Sequence, residues 1–189
     1  MLYKALSVLV FSLSLLIADK GIAAEKRHAE GHVHGVAEIN IIVEGKKVVV
    51  EFRTPTEGLM GFEHEARSDA EKRKLDAAMK LVSEKFNDLV IFEKNLGCLS
   101  RPGNAAVVQS DSSGGKDSKQ GQGEHKKSGE HREVRATYHI ECQKDPTNSR
   151  VRFGVTKMFP DVHELKVQVL SDAKQTGATI KKDQGDVRL

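Results

Sequence analysis

From residue 37 onward the chain alternates. Ala37, Ile39, Ile41 and Val43 are interleaved with Glu38, Asn40 and Glu44, and Ile42 is the one exception. After Glu44-Gly45-Lys46-Lys47, the apolar residues Val48, Val50 and Phe52 alternate with Glu51 and Arg53. A period of two sends apolar side chains to one face of an extended chain and polar ones to the other. Two such runs around a glycine-containing connection predict a β-hairpin. Pro55, in Thr54-Pro55-Thr56, has no N–H to give to a ladder and ends the second strand. The period then lengthens. Leu75, Met79, Val82, Phe86 and Leu89 recur at steps of four and three, which is one face of a helix. Ser68-Asp69-Ala70-Glu71 has the capping-box spacing for its start, and its end is expected between Asn87 and Val90. This stripe reads as core.

Leu96 to Leu99 and Ala105 to Gln109 are apolar enough for strands, interrupted by Arg101-Pro102-Gly103-Asn104. Residues 110–133 are mainly Ser, Gly, Lys, Gln and Glu, with almost nothing to bury, and predict a flexible low-complexity loop. Val134, Ala136, Tyr138, Ile140 and Cys142 then alternate with Arg135, Thr137, His139 and Glu141. That strand turns Cys142 inward and leaves His139 on the polar face. Asp145-Pro146-Thr147-Asn148 is a turn, and Val151 to Phe159 suits either a short helix or a strand. Leu165, Val167 and Val169 alternate with Lys166 and Gln168, and residues 177–180 and 186–189 offer a final edge strand. Hairpins with one clear amphipathic helix, and a second short one, predict an α+β domain with a mainly antiparallel sheet.

The beginning of the chain changes the setting. Lys4 precedes an apolar run from Ala5 to Ala18, broken only by Ser7, Ser12 and Ser14, and the small residues around Gly21-Ile22-Ala23-Ala24 suit cleavage. This is the order of a secretion signal over residues 1–24, with a run too short for a comfortable membrane span. Export to the periplasm follows, with residues 25–189 as one mature domain and no stable membrane insertion after cleavage. The chain has 30 Lys+Arg and 27 Asp+Glu; removing Lys4, Lys20 and Asp19 leaves 28 against 26. Near-balance without a basic patch argues against nucleic-acid binding. Cys98 and Cys142 are the only cysteines, and in an exported protein an even pair is most simply a disulfide. The alternative is a reduced pair that joins a metal site.

Histidines carry the candidate chemistry. His28, His32 and His34 fall within His28-Ala29-Glu30-Gly31-His32-Val33-His34-Gly35, directly before the first strand. In an extended chain residues two apart share a face, about 6 to 7 Å apart, so His32 and His34 can turn both rings onto one divalent metal. Zinc asks for about four ligands. Glu63-His64-Glu65 follows the hairpin and offers His64, with Glu63 as a ligand or as a group that orients the ring. His125 and His131 lie in the loop, and His163, in Asp161-Val162-His163-Glu164, reads first as a turn residue; all three, with His28, are secondary candidates. No nucleophile elbow, His-Glu-x-x-His pattern or phosphate-binding glycine loop is present, so nothing calls for an enzyme.

His32-Val33-His34-Gly35-Val36-Ala37-Glu38, followed by Gly61-Phe62-Glu63-His64, resembles the ZrgA family of zinc-regulated periplasmic proteins of Gram-negative bacteria. Gly97-Cys98, Cys142 after its alternating strand, Met158-Phe159-Pro160 and Glu164-Leu165-Lys166-Val167-Gln168-Val169 extend the resemblance across almost all of the mature chain. It implies a zinc-binding accessory protein that buffers Zn²⁺ or hands it to the components of a zinc uptake system, with His32, His34, Glu63 and His64 on the matching motifs. The family's loop between the cysteine strands is rich in His, Asp and Glu, whereas here it holds only His125 and His131, diluted by lysine and glycine. The competing reading is a structural or adaptor subunit of a transport assembly without a functional metal site. A small zinc hydrolase stands third.

Overall fold

The hairpin forms as the alternation predicts. In the computed structural model, which describes residues 33–109, 131–172, 174–182 and 185–189, β1 (Val36–Glu44) and β2 (Lys47–Pro55) pair antiparallel. Glu38 faces Arg53 and Glu44 faces Lys47 across a connection at Gly45-Lys46. The expected signal at 1–24, His28, His32 and the loop residues 110–130 with His125 lie outside the described residues.

Two short helices and a long one follow. They are α1 (Thr56–Met60), α2 (Asp69–Glu84) and α3 (Phe86–Leu89). The capping box is formed in both directions: the Glu71 N–H donates to Ser68 Oγ at 3.2 Å, and the Ser68 N–H donates to Glu71 Oε2 at 2.9 Å. The single helix expected from the stripe breaks at Lys85 (φ −106°, ψ 30°), so Phe86 and Leu89 reach the core from a separate turn.

The remaining strands are β3 (Val90–Phe92), β4 (Leu99–Gln109), β5 (Arg132–Glu141), β6 (Arg150–Phe153), β7 (Glu164–Ser171), β8 (Gln175–Lys181) and β9 (Asp186–Arg188). They form a six-stranded sheet in the order β4-β5-β2-β1-β7-β8 and a three-stranded sheet β3-β6-β9. Every pairing is antiparallel except β1 with β7, where Val36 faces Glu164 and Val43 faces Ser171. Parallel strands need a long crossover, and here the whole segment from β2 to β7 serves as one. The sheet is therefore mixed, within an α+β fold.

The inward parity of the large sheet carries Ile39, Ile41, Val50, Phe52, Tyr138, Leu165 and Val167, all buried. Val82 of α2, Phe153 of β6 and Val187 of β9 join them in one core. Ile42, the break in the alternation, lies on the opposite face, where its cross-strand neighbours are Val49 and Leu170. Cys98 and Cys142 form the expected disulfide, joining the approach to β4 with the end of β5.

Several local expectations are corrected. Leu96 belongs to a 3₁₀ turn (Lys94–Leu96), and the following strand begins only at Leu99. That strand runs straight through Arg101–Asn104 with a shift of register, because Gly103 lies so close to the Thr137 carbonyl that a Cβ would collide with it. Val151 to Phe159 is neither helix nor strand alone: β6 is followed by α4 (Val155–Met158). The two carboxy-terminal runs do not make one edge strand. β8 closes the large sheet, and β9 joins the small one with Leu189 fully buried behind it. The predicted loop also extends too far. Arg132 and Glu133 already pair with Gln109 and Val108, and Glu133 is fully buried, with Arg53 Nε at 3.2 Å and the Arg135 guanidinium against its other oxygen. Composition marks a glutamate as solvated; two arginines supplied by neighbouring strand positions allow it to be buried. Among the described residues no helix is long and apolar enough to cross a membrane.

Candidate metal centre

The site is a product of strand register. The β1–β2 ladder ends at Glu38 opposite Arg53 and the β2–β5 ladder at Pro55 opposite Glu133, so the turn before β1, the start of α1 and the residue before β5 lie at one end of the large sheet. His34, Glu57 and His131 lie just beyond these last pairs. Each is delivered by a different local device. Val33 to Val36 form a turn closed by the Val36 N–H to the Val33 carbonyl at 3.2 Å, with Gly35 at φ 72°. A third turn position with positive φ favours glycine. Here the His163 ring also fills the space that a Cβ on Gly35 would need. Glu57 sits in the first turn of α1. Gly61 ends that helix at φ 81°, and Thr56 Oγ1 donates to the Phe62 carbonyl at 2.9 Å, which folds the next loop back and brings Glu63 to the same place.

His34 Nδ1 hydrogen-bonds Glu57 Oε2 and lies 3.6 Å from Glu63 Oε1. Ligand atoms of His34, Glu57 and Glu63 all fall within 4.8 Å of one another. The other oxygen of Glu63, Oε2, meets His131 Nδ1 at 2.7 Å. The hydrogen bond to Glu57, then its charge and that of Glu63, raise the His34 pKa above the ordinary histidine value. The cluster therefore stabilises a positive charge at the imidazole, and a divalent cation that displaces this proton meets the same two carboxylates. One imidazole nitrogen and two carboxylates are a donor set that zinc accepts.

Of the residues singled out from the sequence, His34 and Glu63 converge and His131 touches Glu63. His64 is directed elsewhere. Its ring stacks on Phe62 with centroids 5.1 Å apart, Nδ1 meets the Glu65 carbonyl at 2.9 Å, and Nε2 stands 3.7 Å from Glu71 Oε1 at the start of α2. His163 is exposed behind Gly35, its N–H donating to the Gly35 carbonyl at 2.9 Å. His139 is exposed on the polar face between Val49 and Arg101, as its parity predicts. Glu57 was not singled out: no motif marks it, and its place in the first turn of α1, just past the end of β2, is what brings it to His34.

A protein-family model described as "ZrgA family zinc uptake protein" matches residues 31–189. The chain belongs to the ZrgA family. The resemblance carried by the His-x-His-Gly and Gly-Phe-Glu-His motifs is thereby borne out over the whole described fold, and the chain is tied to zinc uptake. No curated protein matches the chain. Within this ZrgA family member, His34, Glu57 and Glu63 are the group of described residues whose donor atoms converge.

Proposed function

We propose that the protein is a periplasmic accessory of zinc uptake that binds Zn²⁺ at His34, Glu57 and Glu63 and buffers it or hands it to transport components. The convergence of three donor atoms within 4.8 Å of one another, in a ZrgA family member, carries this reading. The surroundings suit exchange. The His34 side chain is 64% exposed, so an ion can enter and leave without opening the core. Metal-assisted hydrolysis gains from a shaped, water-excluded site, and this exposed sheet end favours a carrier over an enzyme. Carboxylate and imidazole donors also suit other divalent metals, so the physiological ion is assigned through the zinc-uptake family.

Equilibrium dialysis of the exported protein with elemental analysis tests the proposal. One tightly held zinc is expected, weakened at least tenfold in His34→Ala and in Glu57→Ala. His64→Ala is expected to bind as the parent does, because its ring faces Glu71. A parent that retains no zinc yet forms a stable complex with transport components would replace this reading with that of an adaptor subunit.

A further inference from the structure

We infer that His131 is a fourth ligand of the same ion, so that metal binding fastens the beginning of β5 to the β1–β2 end of the sheet. The inference rests on the zinc reading above. Three observations carry it. The first is positional: the β2–β5 ladder ends with Pro55 facing Glu133, so His131, two residues before Glu133, lies at the same end of the sheet as the start of α1 that carries Glu57. Arg132 already pairs with Gln109, so the backbone that delivers His131 is held by the sheet.

The second is the contact itself. Glu63 is shared, with Oε1 3.6 Å from His34 Nδ1 and Oε2 2.7 Å from His131 Nδ1. Ligand atoms around a tetrahedral zinc with bonds of about 2.0 to 2.1 Å stand roughly 3.3 to 3.4 Å apart. The His34–Glu63 separation lies near that spacing, and the His131–Glu63 contact is a hydrogen bond that metal binding would replace. For His131 to take an ion seated between Glu57 and Glu63, its side chain turns so that Nδ1 leaves the carboxylate oxygen for the metal. The third is the donor count. His34, Glu57 and Glu63 supply three ligands, a closed zinc site takes four, and His131 is the imidazole that already touches the cluster. His131 and Glu63 alone are two donors, too few for a separate site.

The consequence is mechanical as well as chemical. An ion held by His34, Glu57, Glu63 and His131 joins the turn before β1, the helix after β2, the loop beyond it and the start of β5. It then stabilises the folded chain by linkage, through binding that the unfolded chain lacks.

The test uses the exported protein, its His131→Ala and His131→Gln variants, and His34→Ala for reference. Each is titrated with zinc against a chromophoric chelator and, separately, loaded with Co²⁺ for its visible spectrum. Glutamine can still donate to Glu63 but offers no imidazole, so it restores a merely structural contact and not a ligand. The expected result is at least tenfold weaker zinc binding in both His131 variants, with loss of the intense visible bands of four-coordinate cobalt. Metal-free melting temperatures of His131→Gln and the parent should agree, while the rise on adding zinc is smaller in the variant. Parent-like affinity and cobalt spectrum in His131→Gln, beside a clear loss in His34→Ala, would overturn the assignment of His131 and leave the three-residue site standing. A parent that binds no zinc would remove the proposed function and this inference together.

Discussion

Removing one oxygen, in Tyr138→Phe, tests how the long helix is attached to the sheet. Tyr138 is 1% exposed, and its hydroxyl donates to the Val82 carbonyl at 2.6 Å. α2 ends at Glu84, so Val82 is among the last residues of the helix, whose carbonyls have no partner in the next turn. Val82 is itself fully buried, which keeps water from serving instead. Burial raises the phenol pKa, so the group stays a donor throughout the working range. Phenylalanine keeps the ring stacked on Phe86, whose centroid lies 4.1 Å away, so the change isolates the hydroxyl. A buried acceptor left without its donor costs about 1 to 3 kcal/mol. At about 2 kcal/mol, a chain of this size should melt roughly 4 to 8 °C lower. Urea unfolding followed by circular dichroism measures the same loss as a lower midpoint at unchanged slope. A variant that unfolds at the parent's midpoint and slope would show that the hydroxyl does not hold α2 to β5, and the account of the helix end would fail.

Other consequences can be checked in the same way. Gly35→Ala forces a side chain into a backbone at φ 72° and against the His163 ring; the left-handed conformation alone costs about 1 to 2 kcal/mol, and zinc titration should show weaker binding as the turn presenting His34 is displaced. Arg53→Met removes the cation 3.2 Å from buried Glu133 and should destabilise by about 2 kcal/mol; adding Arg135→Met leaves that carboxylate without either arginine and should raise the loss to about 3 to 5 kcal/mol by urea unfolding, whereas a double variant as stable as the single one would contradict the pairing. The Glu71 pKa is lowered by the backbone N–H groups of Ser68 and Arg67, so its carboxylate contributes stability that is fully present above the unfolded value near 4.5 and is lost as pH falls through the lower folded value. Melting temperatures across that acid range should therefore fall more steeply for the parent than for Glu71→Gln, and parallel curves would mean that the capping box does not favour the charged form.

What the residues determine by themselves is local. Alternation from Ala37 to Phe52 around Gly45-Lys46 specifies a hairpin, because every contact it needs is near in sequence and a slip of one residue would turn Ile39 and Ile41 to water. Ser68 and Glu71 begin α2 for the same reason: the capping box closes within four residues. The cysteine pair is legible from the even count and from the parity of Cys142, and family membership is legible because its motifs are spread along the chain in order. Tertiary structure decides the rest. Nothing local in Val36 to Val43 announces that β7 lies parallel beside β1, since that pairing joins segments more than a hundred residues apart. The same holds for β2 with β5, which reclaims Arg132 and Glu133 from an apparently solvated stretch and gives the glutamate its arginines. His131 looks like one more polar loop residue until that ladder carries it to Glu63, and His64 looks like a partner of Glu63 until the loop turns its ring to Phe62 and the start of α2. Donor types are written in the sequence, but a metal needs them within a few ångströms of one point. That distance is set by long-range strand register, which no short window of residues contains.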